Sequence, residues 1–138
     1  MLEQCIFCKI SKKVIPGALV YEDDEFIAFL DINPVNKGHT LVIPKKHYPD
    51  ITKLPDELNH GFMNVIKKIG NAVKEAMKCE GFNIIINTGK PAGQVIFHVH
   101  CHIIPRVEGD GFEHWKGNPY QNNQEVELYQ DKISRLIR

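Results

Sequence analysis

Gln94-Val-Ile-Phe-His-Val-His-Cys-His-Ile-Ile-Pro-Arg106 sets three histidines, His98, His100 and His102, at every second position, separated only by Val99 and Cys101. Successive side chains of a strand point to opposite faces. A strand over 94–104 therefore puts all three imidazoles on one face and Val95, Phe97, Val99, Cys101 and Ile103 on the other. One face becomes core; the other becomes a row of imidazoles at steps of roughly 6–7 Å. Imidazole has the unperturbed pKa nearest neutrality, so such a row can divide the roles of nucleophile, proton donor and metal ligand. Three adjacent imidazoles repel if charged and waste hydrogen-bonding capacity if buried without partners, which disfavours a purely structural triplet. The residues themselves admit either a metal site or a nucleophilic one.

The 138 residues fit one domain, long enough to bury an ordinary core without disulfides. Seventeen basic and seventeen acidic side chains cancel. No basic stripe offers the surface that a nucleic-acid polymer requires, although a small anionic ligand stays open. Met1-Leu-Glu-Gln-Cys-Ile-Phe-Cys-Lys carries an acid where a signal peptide needs a basic end and a longer apolar run. No apolar stretch reaches membrane-spanning length, so a cytoplasmic location without membrane contact is expected. Of four cysteines, Cys5 and Cys8 form a C-x-x-C, Cys79 stands near a helix end and Cys101 on the inward side of the histidine strand. That spacing points to half of a metal site and not to a disulfide framework.

Residues 5–11 read as one short helical turn with Ile6, Phe7 and Ile10 as its apolar members. Ala18–Tyr21 and Phe26–Leu30 read as a hairpin across the acidic turn Glu22-Asp-Asp-Glu25, and His39–Ile43 as a third strand closed by Pro44. From Pro55 the period becomes helical, with Leu58, Phe62, Val65, Ile66, Ile69, Val73 and Met77 on one stripe; Pro55-Asp-Glu suits its start and Gly81 its stop. Phe82–Asn87 and Gln94–Ile104 follow as strands around the turn Thr88–Gly93. The order β-β-β-α-β-β favours an α+β fold, an antiparallel sheet backed by one long helix. Residues 105–138 form a C-terminal tail with a helix near Glu125–Arg138.

Gly93-Gln94 followed by His98-Val-His100-Cys-His102-Ile-Ile resembles the histidine triad (HIT) pattern, His-φ-His-φ-His-φ-φ with φ apolar. Cys-Ile-Phe-Cys-Lys-Ile at 5–10, Phe-Leu-Asp-Ile at 29–32, Gly-His-Thr-Leu-Val-Ile-Pro-Lys-Lys-His at 38–47 and Ile-Asn-Thr-Gly at 86–89 are similar to the nucleotide-binding (Hint-like) branch of that superfamily, in its bacterial zinc-containing form. The resemblance implies a single domain over 1–138 and a five-stranded antiparallel sheet with one long and one short helix. It also implies a homodimer whose two sheets join across the interface. The implied activity is hydrolysis at the α-phosphorus of a purine nucleotide, an adenosine phosphoramidate or a dinucleoside polyphosphate.

In that activity a neutral imidazole serves as nucleophile without strong activation. The resemblance assigns the attack to His100, through a nucleotidyl-histidine that water cleaves. It puts His102 beside the phosphoryl oxygens or leaving group, with His98 and His39 completing the catalytic set. Gln94 shares the histidine face and is expected to donate to phosphate. Gly93 and the turn before it are expected to offer backbone N–H groups, with Asn87 beside them. Asp31 is expected to hold the ribose hydroxyls, and Ile6, Phe7, Ile10, Phe29, Ile32 and Leu41 to wall the base.

C-x-x-C alone is shared by zinc and thiol-redox sites. The resemblance implies structural Zn2+ held by Cys5, Cys8, His47 and His98, a closed four-ligand site. Two departures from this assignment stay open: a metallohydrolase whose triplet binds a catalytic metal, and a nucleotide-binding regulatory module with little turnover. The position after Gln94, commonly serine in this branch, is Val95, which puts efficient cleavage of aminoacyl-type phosphoramidates in question.

Overall fold

The computed structural model describes residues 2–138; Met1, part of the segment read for a signal peptide, lies outside them. Helix α1 (Ile6–Ser11) is followed by strands β1 (Leu19–Glu22), β2 (Phe26–Leu30) and β3 (Thr40–Pro44), helix α2 (Asp56–Ala76), strands β4 (Gly81–Ile85) and β5 (Cys101–Arg106), and helix α3 (Asn123–Ser134). The strands form one five-stranded antiparallel sheet in the order β1-β2-β3-β5-β4. At the acidic turn, Asp23 Oδ1 accepts from the N–H groups of Glu25 and Phe26 at 2.8 and 2.7 Å and closes the first hairpin.

The sheet is covered on both faces, which explains the unbroken apolar runs in β2 and β3. Phe26, Ala28 and Val42 pack with the stripe Phe62, Val65, Ile66 and Ile69 of α2. Ile27, Phe29, Leu41 and Ile43 pack with Phe7 and Ile10 of α1. Each fully buried Val, Leu, Ile or Phe among them contributes about 1.5–3 kcal/mol. Leu41 pairs with His102 across the ladder, so His102 lies on the α1 side of the sheet while its neighbours Cys101 and Ile103 sink into the α2 side.

Several expectations need correction. The long helix stops at Ala76 and not near Gly81: Lys78 takes the left-handed conformation (φ 52°) and the Cys79 N–H folds back to the Lys74 carbonyl at 3.1 Å. More consequential, the histidine strand is shorter than alternation predicted. The ladders of β5 to β3 and β4 begin at Cys101 and His102, so His98 and His100 precede the strand. Upstream the main chain bonds elsewhere, the Val99 N–H donating to the Tyr48 carbonyl at 2.7 Å. Val99, Cys101 and Ile103 are buried as expected, but Val95 and Phe97 are 84% and 49% exposed. The strand expected over 82–87 ends at Ile85. The tail helix forms over Asn123–Ser134, capped by Asn122 Oδ1, and none of its residues is buried.

Gly70 sets how closely α2 approaches β4: a Cβ there would lie 2.5 Å from Cζ of Phe82. Gly→Ala inside a helix normally gains about 0.5–1 kcal/mol. Gly70→Ala should instead destabilise by about 1–3 kcal/mol through overpacking, read as a lower urea midpoint at unchanged slope.

Candidate active site

His100 is buried and its Nδ1–H donates to the carbonyl of His98 at 2.7 Å. In a neutral ring the proton is then on Nδ1, leaving Nε2 with a bare lone pair. The ring of Phe7 meets it edge-on, centroids 5.0 Å apart. His39 and His102 form a second chain. The Val35 N–H donates to Nδ1 of His39 at 3.1 Å, so the His39 proton lies on Nε2, which donates to Nδ1 of His102 at 2.9 Å. His102 in turn keeps its own proton on Nε2. Asp31 Oδ2 stands 3.6 Å from the same His39 Nε2. Among the described residues no buried side-chain nitrogen or oxygen lacks a partner. Nε2 of His100 and of His102, which have none, thus open onto the cavity that both residues line. A lone pair and an N–H donor are set side by side on rings with centroids 4.9 Å apart.

That cavity measures about 370 Å³. Asp31 and Gly93 border it, with Ile6, Phe7, Ile10, Phe29, Ile32 and Leu41 as apolar walls. Ile32 is 98% exposed and stands at the rim. Burial lowers the pKa of His39 and His100 and pulls His102 down to about 4, with repulsion from His100 and His39 adding to it. The rings are neutral near pH 7.

Gln94 departs from its expected role. Its Nε2 donates to the carbonyls of Pro49 (2.7 Å) and Ile96 (3.2 Å), and its Oε1 accepts from the Gly89 N–H (2.9 Å). Fully buried and fully engaged, it is a strut that fixes the turn. The turn also spends its own N–H groups: Ala92 and Gln94 donate to the Gly89 carbonyl and Gly93 to that of Lys90. Gly93 (φ 98°) allows the close approach of Asn87, whose Nδ2 lies 3.5 Å from where a side chain would begin. The N–H groups of Gly89, Ala92, Gly93 and Gln94 are thus already engaged within the turn.

Behind His100 the other face of the triplet meets α1. His98 is fully buried; its Nε2–H donates to the Pro44 carbonyl at 2.8 Å, which turns Nδ1 towards Sγ of Cys5 and of Cys8, both at 3.5 Å. His47 Nδ1 lies 3.4 Å from Cys8 Sγ. The four ligand atoms lie within 4.8 Å of one another. With Zn–S about 2.3 Å and Zn–N about 2.0–2.1 Å, a tetrahedral S···N edge is about 3.5 Å, so the donor set and spacing fit zinc. The Pro44 carbonyl is the outer partner that such a histidine ligand requires. Burial, then hydrogen bonding from Cys5, pushes the Cys8 thiol up to about 11, so a cation is what would make it a thiolate. Asp31, His39 and His102 also converge within 4.8 Å. There the proton between the two rings makes the contact a hydrogen-bonded chain.

Sequence reasoning missed the Val35 N–H, the Pro44 carbonyl and the Phe7 contact with His100, because main-chain partners on other elements leave no local signal. It also missed Ile96 and Pro16-Gly17-Ala18 in the cavity wall; the Pro16-Gly17 turn was the available cue. His60 is on the exposed face of α2, bonded to Asn64 Nδ2, and His114 lies away from the triplet beside Arg106. No helix of the described residues is long and apolar enough to cross a membrane.

The HIT domain family matches residues 12–109. A HIT-like protein of Methanocaldococcus jannaschii is 53% identical over 107 residues, 78% of this chain and 82% of that one. The adenylylsulfatase HINT3 of Arabidopsis thaliana is 44% identical over 106 residues, 77% of this chain; the chain spans about half, 54%, of that longer protein. Among solved structures, a HIT family member from Bacillus subtilis superposes with TM-score 0.89 at 40% identity, covering 98% of both chains. A zinc-bound histidine triad protein from Mycobacterium smegmatis gives 0.76 at 35% identity, covering 99% of this chain and 100% of that one.

A histidine whose folded pKa lies below its unfolded value of 6.5 contributes stability that is present above that value and lost as pH falls towards the folded one. For His102 the window runs from 6.5 down to about 4. Unfolding free energy should fall across it, and His102→Gln should flatten that dependence, removing on the order of 2 kcal/mol of the difference between pH 7 and pH 4. Parallel denaturation curves for the two proteins would contradict the assignment.

Proposed function

The chain belongs to the histidine triad (HIT) family, and from that premise we propose that it hydrolyses a purine nucleotide at the α-phosphorus, cleaving a P–N or P–O bond through a nucleotidyl-histidine on His100. The observation that carries this reading is the bare Nε2 of His100 opening onto the cavity beside the Nε2–H of His102. Phe7, Ile10, Phe29 and Leu41 receive the base and Asp31 the ribose hydroxyls. His100 attacks phosphorus as the leaving group departs. His102 Nε2–H, together with Asn87 Nδ2, meets the negative charge that builds on the non-bridging oxygens; one such donor is worth about 10²–10³ in rate. His39 acts through His102 by holding its proton on Nε2, while Gly93 lets the chain pass close and Gln94 holds the turn.

Zinc on Cys5, Cys8, His47 and His98 would cross-link α1, the segment after β3 and the start of the triplet. His98 would hold it on the side facing α1, and His100 would stay metal-free. Its role in this reading is structural. The same reading makes the protein a cytoplasmic homodimer, for which β4, at one end of the sheet order, offers an unpaired edge.

Mass spectrometry after acid-free quenching of a reaction with an adenosine phosphoramidate should find an adenylate on the peptide containing His100. His100→Ala should bind nucleotide yet lose turnover by at least about a thousandfold. Should wild type bind nucleotide without turnover or adduct, the protein is a binding module. Cys8→Ser should lose bound zinc and melt several degrees lower, with kcat at low temperature changed less than about threefold. Metal removal that left melting unchanged but abolished turnover would make the metal catalytic.

A further inference from the structure

Residues 31–39 join β2 to β3 without belonging to a strand and carry both Asp31 and His39. Most bonds of this loop are local. Asp31 Oδ1 accepts from the Asn33 N–H at 2.8 Å, the His39 N–H donates to the Asn36 carbonyl at 3.0 Å, and the Val35 N–H donates to His39 Nδ1 at 3.1 Å. The last of these decides the tautomer of His39 and, through it, that of His102. The reactive face therefore depends on where the main chain of one loop residue stands.

Asn36, the next residue, ties that main chain to the far end of β5. Its Nδ2 donates to the Pro105 carbonyl at 2.9 Å, past the point where the β3–β5 ladder ends at Thr40 and Ile103, and to Asp110 Oδ2 at 3.1 Å. Both N–H groups of the amide are thereby used. Asp110 is held in turn: Arg106 donates to both its oxygens, from Nε to Oδ2 at 2.7 Å and from Nη2 to Oδ1 at 2.9 Å, and Arg106 Nη1 donates to Asn83 Oδ1 of β4 at 2.8 Å. A bidentate pair of this kind fixes direction as well as distance. The bonds thus run from β4 through Arg106, Asp110 and Asn36 to the residue beside Val35. Asn36, Arg106 and Asp110 do not line the nucleotide cavity, so any effect they have on the reaction passes through His39 and His102.

Resting on the hydrolase reading above, we propose that Asn36 is a positioning residue: by tying the β2–β3 loop to Pro105 and Asp110 it holds the Val35 N–H on His39 and so keeps the N–H of His102 turned to the phosphoryl group. The competing arrangement is just as neutral. With the Val35 N–H withdrawn, His39 takes its proton on Nδ1 and its Nε2 becomes an acceptor. His102 must then place its own proton on Nδ1 to keep the 2.9 Å bond between the rings. Each ring still carries one proton, but His102 now shows the cavity a lone pair where an N–H stood, and the donor for the non-bridging oxygens is lost.

Asn36→Ala tests this, read by long-range ¹H–¹⁵N NMR of histidine-labelled protein near pH 7 and by turnover of adenosine 5′-phosphoramidate. In a measurable fraction of molecules the protons of His39 and His102 should move from Nε2 to Nδ1, while His100 keeps its pattern. kcat should fall by about ten- to a hundredfold. KM should change by less than about threefold, because Asp31 follows directly on β2 and its N–H stays on the His39 carbonyl at 2.9 Å. Gly70→Ala, destabilised at the contact between α2 and β4, should alter neither the rings nor kcat, which separates positioning from loss of stability. Asn36→Asp keeps the size of the side chain but has no N–H to give and sets a carboxylate against a carbonyl and Asp110. It should behave as Asn36→Ala does and carries the test if the alanine variant does not fold. Wild-type ring protonation in the folded variant, or displaced protons with unchanged kcat, would overturn the assignment. A wild-type protein that neither turns over nor forms the His100 adduct would instead overturn the hydrolase reading, and the NMR comparison would still decide whether Asn36 holds the relay.

Discussion

The hydrogen bonds that the triplet makes to main-chain carbonyls decide what each histidine can do. His98 gives its Nε2–H to Pro44, and its lone pair therefore faces the thiols of α1; His100 gives its Nδ1–H to His98, and its lone pair faces the cavity. Two chemically identical side chains, two residues apart, are thereby given opposite free nitrogens, the one suited to the proposed metal ligand and the other to the proposed nucleophile. A carbonyl cannot donate, so neither ring can adopt the other tautomer without leaving a buried acceptor unpaired, at a cost of about 1–3 kcal/mol. His102 completes the pattern through side chains and one amide, with Val35, His39 and His102 forming a relay that ends in a donor.

Burial keeps this arrangement in force. Protonating any of these rings would add a second N–H where a lone pair is needed and place a charge among others in an apolar setting. The pull of His98 and His102 down to about 4, caused first by desolvation, keeps the carbonyl-fixed tautomers populated at neutral pH. The fold supplies that desolvation cheaply: α1 seats Phe7 against the His98 and His100 rings while the same helix brings Cys5 and Cys8 to His98. One short helix thus closes the cavity and completes the quartet of Cys5, Cys8, His47 and His98.

Much of this was legible in the chain. The order of elements along the chain, the long amphipathic helix and the buried faces of β2 and β3 follow from periodicity; the C-x-x-C was picked out by residue type, and the family resemblance joined His47 and His98 to it. The alternation argument failed upstream of Cys101 for a specific reason. Alternation assumes that a ladder continues, and no sequence pattern reports that β3 and β4 stop providing one there, so Val95 and Phe97 face solvent. Gln94 was misread in kind: a polar residue on the expected reactive face is equally suited to satisfying carbonyls from Pro49 and Ile96, and only the positions of those carbonyls decide. Tautomers were illegible for the same reason, since they are set by partners distant in sequence.

The most direct test of this account is long-range ¹H–¹⁵N NMR of histidine-labelled protein near pH 7, which reads the protonated nitrogen of each ring. His100 should carry its proton on Nδ1 with an unprotonated Nε2, while His102 and His39 carry theirs on Nε2. A His100 protonated on Nε2, or on both nitrogens, would leave no lone pair facing the cavity and would contradict the central claim.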